Sequence, residues 1–141
     1  MLVGPQEYSY LQFDVSSIPG GATVSSALLR LCRTDSAGGA PIHELRPITS
    51  GWTESGLTGL TWSNAPTAAS SYDASMSVPS SVGCVTADVT TDVQAWVAGA
   101  GNWGWRIADA NPSPPPPQVD WATREDPSSS QRPSLSVTYT P

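Results

Sequence analysis

Apolar residues near the start of the chain fall on every second position. Leu11, Phe13 and Val15 share one face of an extended segment, and Tyr10, Gln12 and Asp14 share the other. That is the period of a half-buried β-strand. Ile18-Pro19-Gly20-Gly21 reads as a turn. Residues 22–33 form a longer strand, with Leu29 and Leu31 inward and Leu28, Arg30 and Cys32 facing the other way. Residues 41–48 alternate again, Ile42, Glu44 and Arg46 against His43 and Leu45. In residues 82–89, Val85, Ala87 and Val89 share a face, opposite Cys84, Thr86 and Asp88.

The spacing changes once. Val89, Val93, Trp96 and Val97 recur at helical intervals, Thr90 or Thr91 can cap the start, and Gly99 can end the segment. Strands are expected again at 103–109, 119–125 and 133–139. Residues 51–66 read as an ordered loop and 68–79 as a surface loop containing Tyr72. Residues 112–117 include four consecutive prolines, a stiff exposed excursion. About eight short strands and one short helix make an all-β sandwich or jelly roll. The 141 residues suffice for a single domain, 1–141, with a core of its own.

Charge removes several functions. Only 13% of residues are charged, none is Lys, and the net charge is -6. Nucleic acid needs a basic footprint, which is missing. No apolar run is long enough to span a bilayer. Without Lys, no Lys–Asn or Lys–Asp isopeptide bond can link strands or copies. The sparse charge and the abundant Ser, Thr, Gly and Pro suit an extracellular or cell-surface β domain. No signal-peptide pattern opens the chain, so secretion would require a leader already removed or a longer parent. Cys32 and Cys84 are either two buried thiols or one bridge. Each points away from its own strand's apolar set, and this favours a bridge if the two strands are neighbours.

A family resemblance emerges from the order of motifs. Tyr10-Leu11-Gln12-Phe13-Asp14, Ile18-Pro19-Gly20-Gly21-Ala22-Thr23-Val24 and Ala27-Leu28-Leu29-Arg30-Leu31 come first. Gly51-Trp52-Thr53-Glu54, Leu60-Thr61-Trp62-Ser63-Asn64-Ala65-Pro66 and Asp88-Val89-Thr90 follow, then Thr123-Arg124-Glu125 and Pro133-Ser134-Leu135-Ser136-Val137-Thr138-Tyr139. Together they resemble the DNRLRE-type domain over nearly the whole chain. The resemblance implies a jelly-roll β-sandwich from secreted and cell-surface bacterial proteins, some of whose relatives bind carbohydrate. Such domains usually carry a further strand and loop before the position of Val3-Gly4. Its lack predicts an open sheet edge, filled by a neighbouring copy or an adjacent domain, or covered.

Six tryptophans offer faces for stacking on sugars. Trp52, Trp62, Trp96 and Trp121 stand at positions the resemblance makes aromatic or on the helix's apolar face, and read as anchors. Trp103 and Trp105, two apart, form either a binding platform or core packing. Tyr72 in its polar loop is a second candidate. Arg124 and Glu125, adjacent on an expected strand, would face opposite sides. Arg124 is then either a structural ion pair or a clamp on an acidic sugar.

Catalysis finds little support. His43 is the only histidine and no Gly-x-Ser-x-Gly elbow accompanies it. The one His and two Cys lack zinc spacing, and no acidic run marks a structural calcium loop. Glu44, Glu54, Asp73, Asp109 and Asp120 read as solvated, and Asp14 and Asp88 as strand-end acceptors. The expectation is a non-catalytic extracellular module for polysaccharide or cell-surface glycan, with no cofactor. The alternative is a self-assembling subunit of a surface layer, filament or appendage that exchanges strands at an open edge.

Overall fold

The computed structural model describes residues 2–3, 8–36, 39–57, 61, 63–111 and 118–141. Trp62 and the proline run at 112–117 lie outside the described residues. The elements in chain order are β1 (Leu2–Val3), β2 (Ser9–Leu11), β3 (Thr23–Arg33), β4 (Ile42–Pro47), β5 (Ala74–Ser77), β6 (Gly83–Asp88), α1 (Thr90–Val97), β7 (Trp105–Asp109), β8 (Val119–Asp120) and β9 (Ser134–Thr140).

These strands build a β-sandwich with one helix. One sheet runs β2-β7-β4-β5, the other β6-β3-β9, and β1 pairs with β8. Neighbours are antiparallel throughout. The chain crosses from one sheet to the other between β2 and β3, β3 and β4, β5 and β6, and β6 and β7. That winding is a jelly roll. The alternation read from the sequence places Leu29, Leu31, Leu45, Ile107 and Ala87 between the sheets.

Helix α1 closes one end, with Val93, Trp96 and Val97 buried. Beneath it β3 has a bulge between Val24 and Ser26, so both Val24 and Ala27 point inward. The bulge frees two backbone donors, and the helix accepts both. Val24 N–H reaches Gln94 Oε1 at 2.7 Å, and Ala27 N–H reaches Thr90 Oγ1 at 2.9 Å. Thr90 and Thr91 do not cap the helix. Asp88 Oδ1 accepts from the Thr90 amide at 3.0 Å and its hydroxyl at 2.6 Å instead. Gly99, at φ 113°, ends it.

Four expectations are corrected. The loop at 68–79 contains a strand, β5, because Ala74 and Met76 fill the inner face beside His43 and Leu45. The strand expected at 119–125 stops after Asp120, apart from a bridge between Arg33 and Trp121. Arg124 and Glu125 therefore share a turn, and strand parity does not separate them. Glu44 and Asp109 are buried rather than solvated, each on a strand flanked on both sides or covered by the loops above it.

Of the buried charged or titratable side chains, Arg33 and His43 are fully enclosed. Arg33 is fully enclosed, with Nε and Nη2 donating to Asp35 at 2.9 and 2.8 Å. Its Nη1 donates to the carbonyls of Gly39 and Pro79, both at 2.7 Å. Complete pairing is what makes such a burial tolerable. His43 is equally enclosed, and Trp121 Nε1–H donates to its Nδ1 at 3.2 Å.

Cys32 and Cys84 occupy opposed positions on β3 and β6 and are joined by a disulfide. The two sheets are unequal, four strands against three. Among the described residues no strand pairs with the outer edge of β2 or of β9. Leu11, Phe13, Val15, Leu135 and Val137 are accordingly only half-buried along that side.

Candidate functional site

The open side of the sandwich holds a cleft of ≈ 880 Å³. Its first wall is the segment from Tyr8 to Ser16. Its second comprises Trp52, Thr53, Glu54 and Leu57, with Thr123, Arg124, Glu125 and Pro133 beyond.

Alternation along β2 sorts the first wall. Ser9 and Leu11 pair across from Ile107 and Trp105 and look inward, whereas Tyr10 pairs with Arg106 and looks outward. The same parity continues past the strand, so Phe13 and Val15 line the apolar floor and Gln12 and Asp14 are exposed. Asn102 locks this segment to the loop before β7. Its Nδ2 donates to Phe13 O at 2.8 Å, its backbone O accepts from Gln12 Nε2 at 2.9 Å, and its Oδ1 accepts from Gly104 N–H at 3.1 Å.

Tyr10 and Trp52 carry the aromatic surface. Their ring centroids are 5.7 Å apart and their planes meet at 52°. The Trp52 indole is pinned by Nε1–H donating to Trp103 O at 2.7 Å. Burial pushes the Tyr10 phenol up in pKa, and the nearby Arg106 charge only partly opposes it, so its hydroxyl stays protonated.

The polar rim is a three-membered charge chain. Arg124 Nη2 donates to Glu54 Oε2 and Nε to Glu125 Oε1, both at 2.7 Å. All three side chains are well exposed, and such a chain contributes little to stability. It does hold the two loops in register and offers carboxylate oxygens to a hydroxyl-rich ligand. Asp14 is held below its ordinary pKa by hydrogen bonds from Ser16.

The four residues singled out from the sequence do not converge. Arg124 lines the cleft. Trp105 is 0% exposed, its ring centroid 4.6 Å from that of Trp96 in a tilted pair, with Nε1–H donating to buried Asp92 at 2.7 Å. Trp103 is 36% exposed, so the two indoles share no platform. Gly104 separates them at φ 74°, and β7 begins only at Trp105, which breaks the alternation expected at 103–109. Tyr72 is exposed but sits beyond β4, where Arg46 lies 5.2 Å from its ring. Tyr10 and Trp52 were legible only as a polar-face and an anchor aromatic; their meeting across the chain had no local signal.

No cluster of three or more His, Cys, Asp or Glu side chains suited to a metal occurs among the described residues. Among the described residues, no helix is long and apolar enough to cross a membrane.

Comparison with curated proteins and with solved structures returns no match. A family model does match, over residues 3–139, and it covers both walls of the cleft and the strands that carry them. With that span of agreement, the chain belongs to carbohydrate-binding module family 96.

Proposed function

We propose that the chain is a non-catalytic glycan-binding module that works outside the cell, with the cleft beside β2 as its site. The observation that carries this reading is the Tyr10–Trp52 pair, fixed in place at the mouth of a cleft with a polar rim. An aromatic face attracts the C–H groups of a sugar ring, and rim carboxylates accept its hydroxyls. The disulfide supports an oxidising compartment. The motif likeness to DNRLRE-type domains supports the cell-surface setting.

Affinity electrophoresis tests this in gels containing β-glucan, xylan, mannan or a polyuronate. At least one glycan should retard the protein. Tyr10→Ala should weaken retention about tenfold, the equivalent of roughly 1.4 kcal/mol. Equal retention of wild type and variant would move the site elsewhere.

A second reading, assembly by strand addition, is favoured by the unequal sheets. The outer edge of β9 offers seven residues of backbone beside half-buried Leu135 and Val137. Such an edge is a template for another strand. Light scattering across concentration should then show mass growing beyond one chain. A constant monomer mass at high concentration would dismiss it.

A further inference from the structure

We infer that the glycan site extends beyond the cleft as a strip across the outer face of the four-stranded sheet, and so takes several consecutive units of a linear polysaccharide. The inference rests on the cleft reading above. Its observation is a row of outward side chains at matched register. Tyr10 on β2 is the cross-strand partner of Arg106 on β7, which is the partner of Arg46 on β4. The inward row beside them, Leu11, Trp105 and Pro47, packs towards the core.

Aromatic rings bound this row. Trp52 lies 5.7 Å from Tyr10 at one end, and Tyr72 lies 5.2 Å from the Arg46 guanidinium at the other. Strands are ~4.8 Å apart, so the strip measures roughly 20 Å. That length holds several consecutive sugar units.

Both guanidiniums lie over aromatic rings. Arg106 lies over the Tyr8 ring at 4.2 Å, and its buried Nε has no hydrogen-bond acceptor among the described residues. No ion pair joins it to a carboxylate among the described residues. Arg46 is oriented by Glu44 Oε1 at 2.5 Å and by the carbonyls of Ala69 and Ser70. A guanidinium over an aromatic ring is held there by cation–π attraction, which limits the entropy its N–H groups lose when they bind a ligand. Sugar hydroxyl and ring oxygens are suitable acceptors for the terminal N–H groups of these guanidiniums.

Calorimetry with disaccharide-to-hexasaccharide ladders of β-1,4-glucan, β-1,4-xylan, β-1,4-mannan and an oligouronate tests the strip. In a ladder that binds, affinity should climb about tenfold or more from disaccharide to hexasaccharide. Tyr72→Ala, in an exposed loop, should erase most of that increment and leave the disaccharide unchanged. Affinity that is level along the ladder, or a hexasaccharide indifferent to both Tyr72→Ala and Arg106→Gln, would overturn the strip while leaving the cleft. Binding of no ladder, or binding indifferent to Tyr10→Ala, would overturn the cleft and the strip with it.

Discussion

Gly104→Ala will unseat β2 and cost about 3 kcal/mol or more. Two penalties coincide at this residue. The backbone sits at φ 74°, where a Cβ costs roughly 1–2 kcal/mol. A Cβ there would also stand 1.9 Å from Leu11 O and 2.8 Å from Gln12 Cα. Those are backbone atoms of the neighbouring segment, so they cannot rotate away. Leu11 pairs with Trp105, the next residue, and among the described residues β2 has no strand on its other side to hold it in place. The strand must move outward, and Tyr10 moves with it. Chemical denaturation should show the lost stability, and glycan affinity should fall in parallel. Gly101→Ala provides the contrast: its Cβ would meet the far end of the Trp103 ring at 2.5 Å, which can swing aside. Equal effects at the two glycines would refute the close-approach argument.

The second large effect is a loss of stability in mild acid, centred on His43. Trp121 donates to Nδ1, so the folded imidazole must be neutral, with its proton on Nε2. Nε2 has no partner, and burial pushes the pKa down to about 4 from 6.5. Asp109 across the strand pair opposes that shift, and buried Arg33 reinforces it. The unfolded chain therefore binds more protons than the folded one between those values. Stability from this group is complete above pH 6.5, falls as pH drops towards 4, and changes no further below it. The shift corresponds to about 3 kcal/mol. His43→Asn keeps an acceptor near Trp121 but does not titrate. Its stability, measured against pH 7 and pH 4.5, should lose much of the wild-type acid slope. An unchanged slope would place the acid sensitivity elsewhere. Asp92 acts in the other direction, since burial raises its pKa above 3.8 and favours the folded state as pH falls.

Period-two alternation made the sandwich legible, because residues such as Leu29, Leu31 and Leu45 have only one face they can occupy. The helix was legible from Val93, Trp96 and Val97 for the same reason at a different period. Legibility failed where chemistry outweighed pattern. Arg33, two residues on from Leu31, keeps the inward parity despite its charge, because Asp35 and two distant carbonyls meet it there. Glu44 and Asp109 look like surface acids until the topology encloses them. The reading of Trp103 and Trp105 assumed an unbroken strand from Trp103, and the positive φ of Gly104 delays its start to Trp105. Arg124 does lie at the cleft, but its partner Glu54 is 70 residues away, a distance across which no local pattern can speak. Tyr10 and Trp52 are in the same position. Each has an unremarkable neighbourhood, and the aromatic surface exists only once the loop folds over β2.

The central strand of the smaller sheet is also fastened unevenly, and the difference is mechanical. On one flank β3 is tied to β6 by hydrogen bonds and by the covalent link between Cys32 and Cys84. On the other flank β9 is held by hydrogen bonds alone, interrupted by the bulge near its far end. Under tension the two flanks cannot fail together. β9 peels first, one pair at a time, while β6, β3 and the helix that follows β6 stay joined as a unit that the sulfur bridge keeps intact.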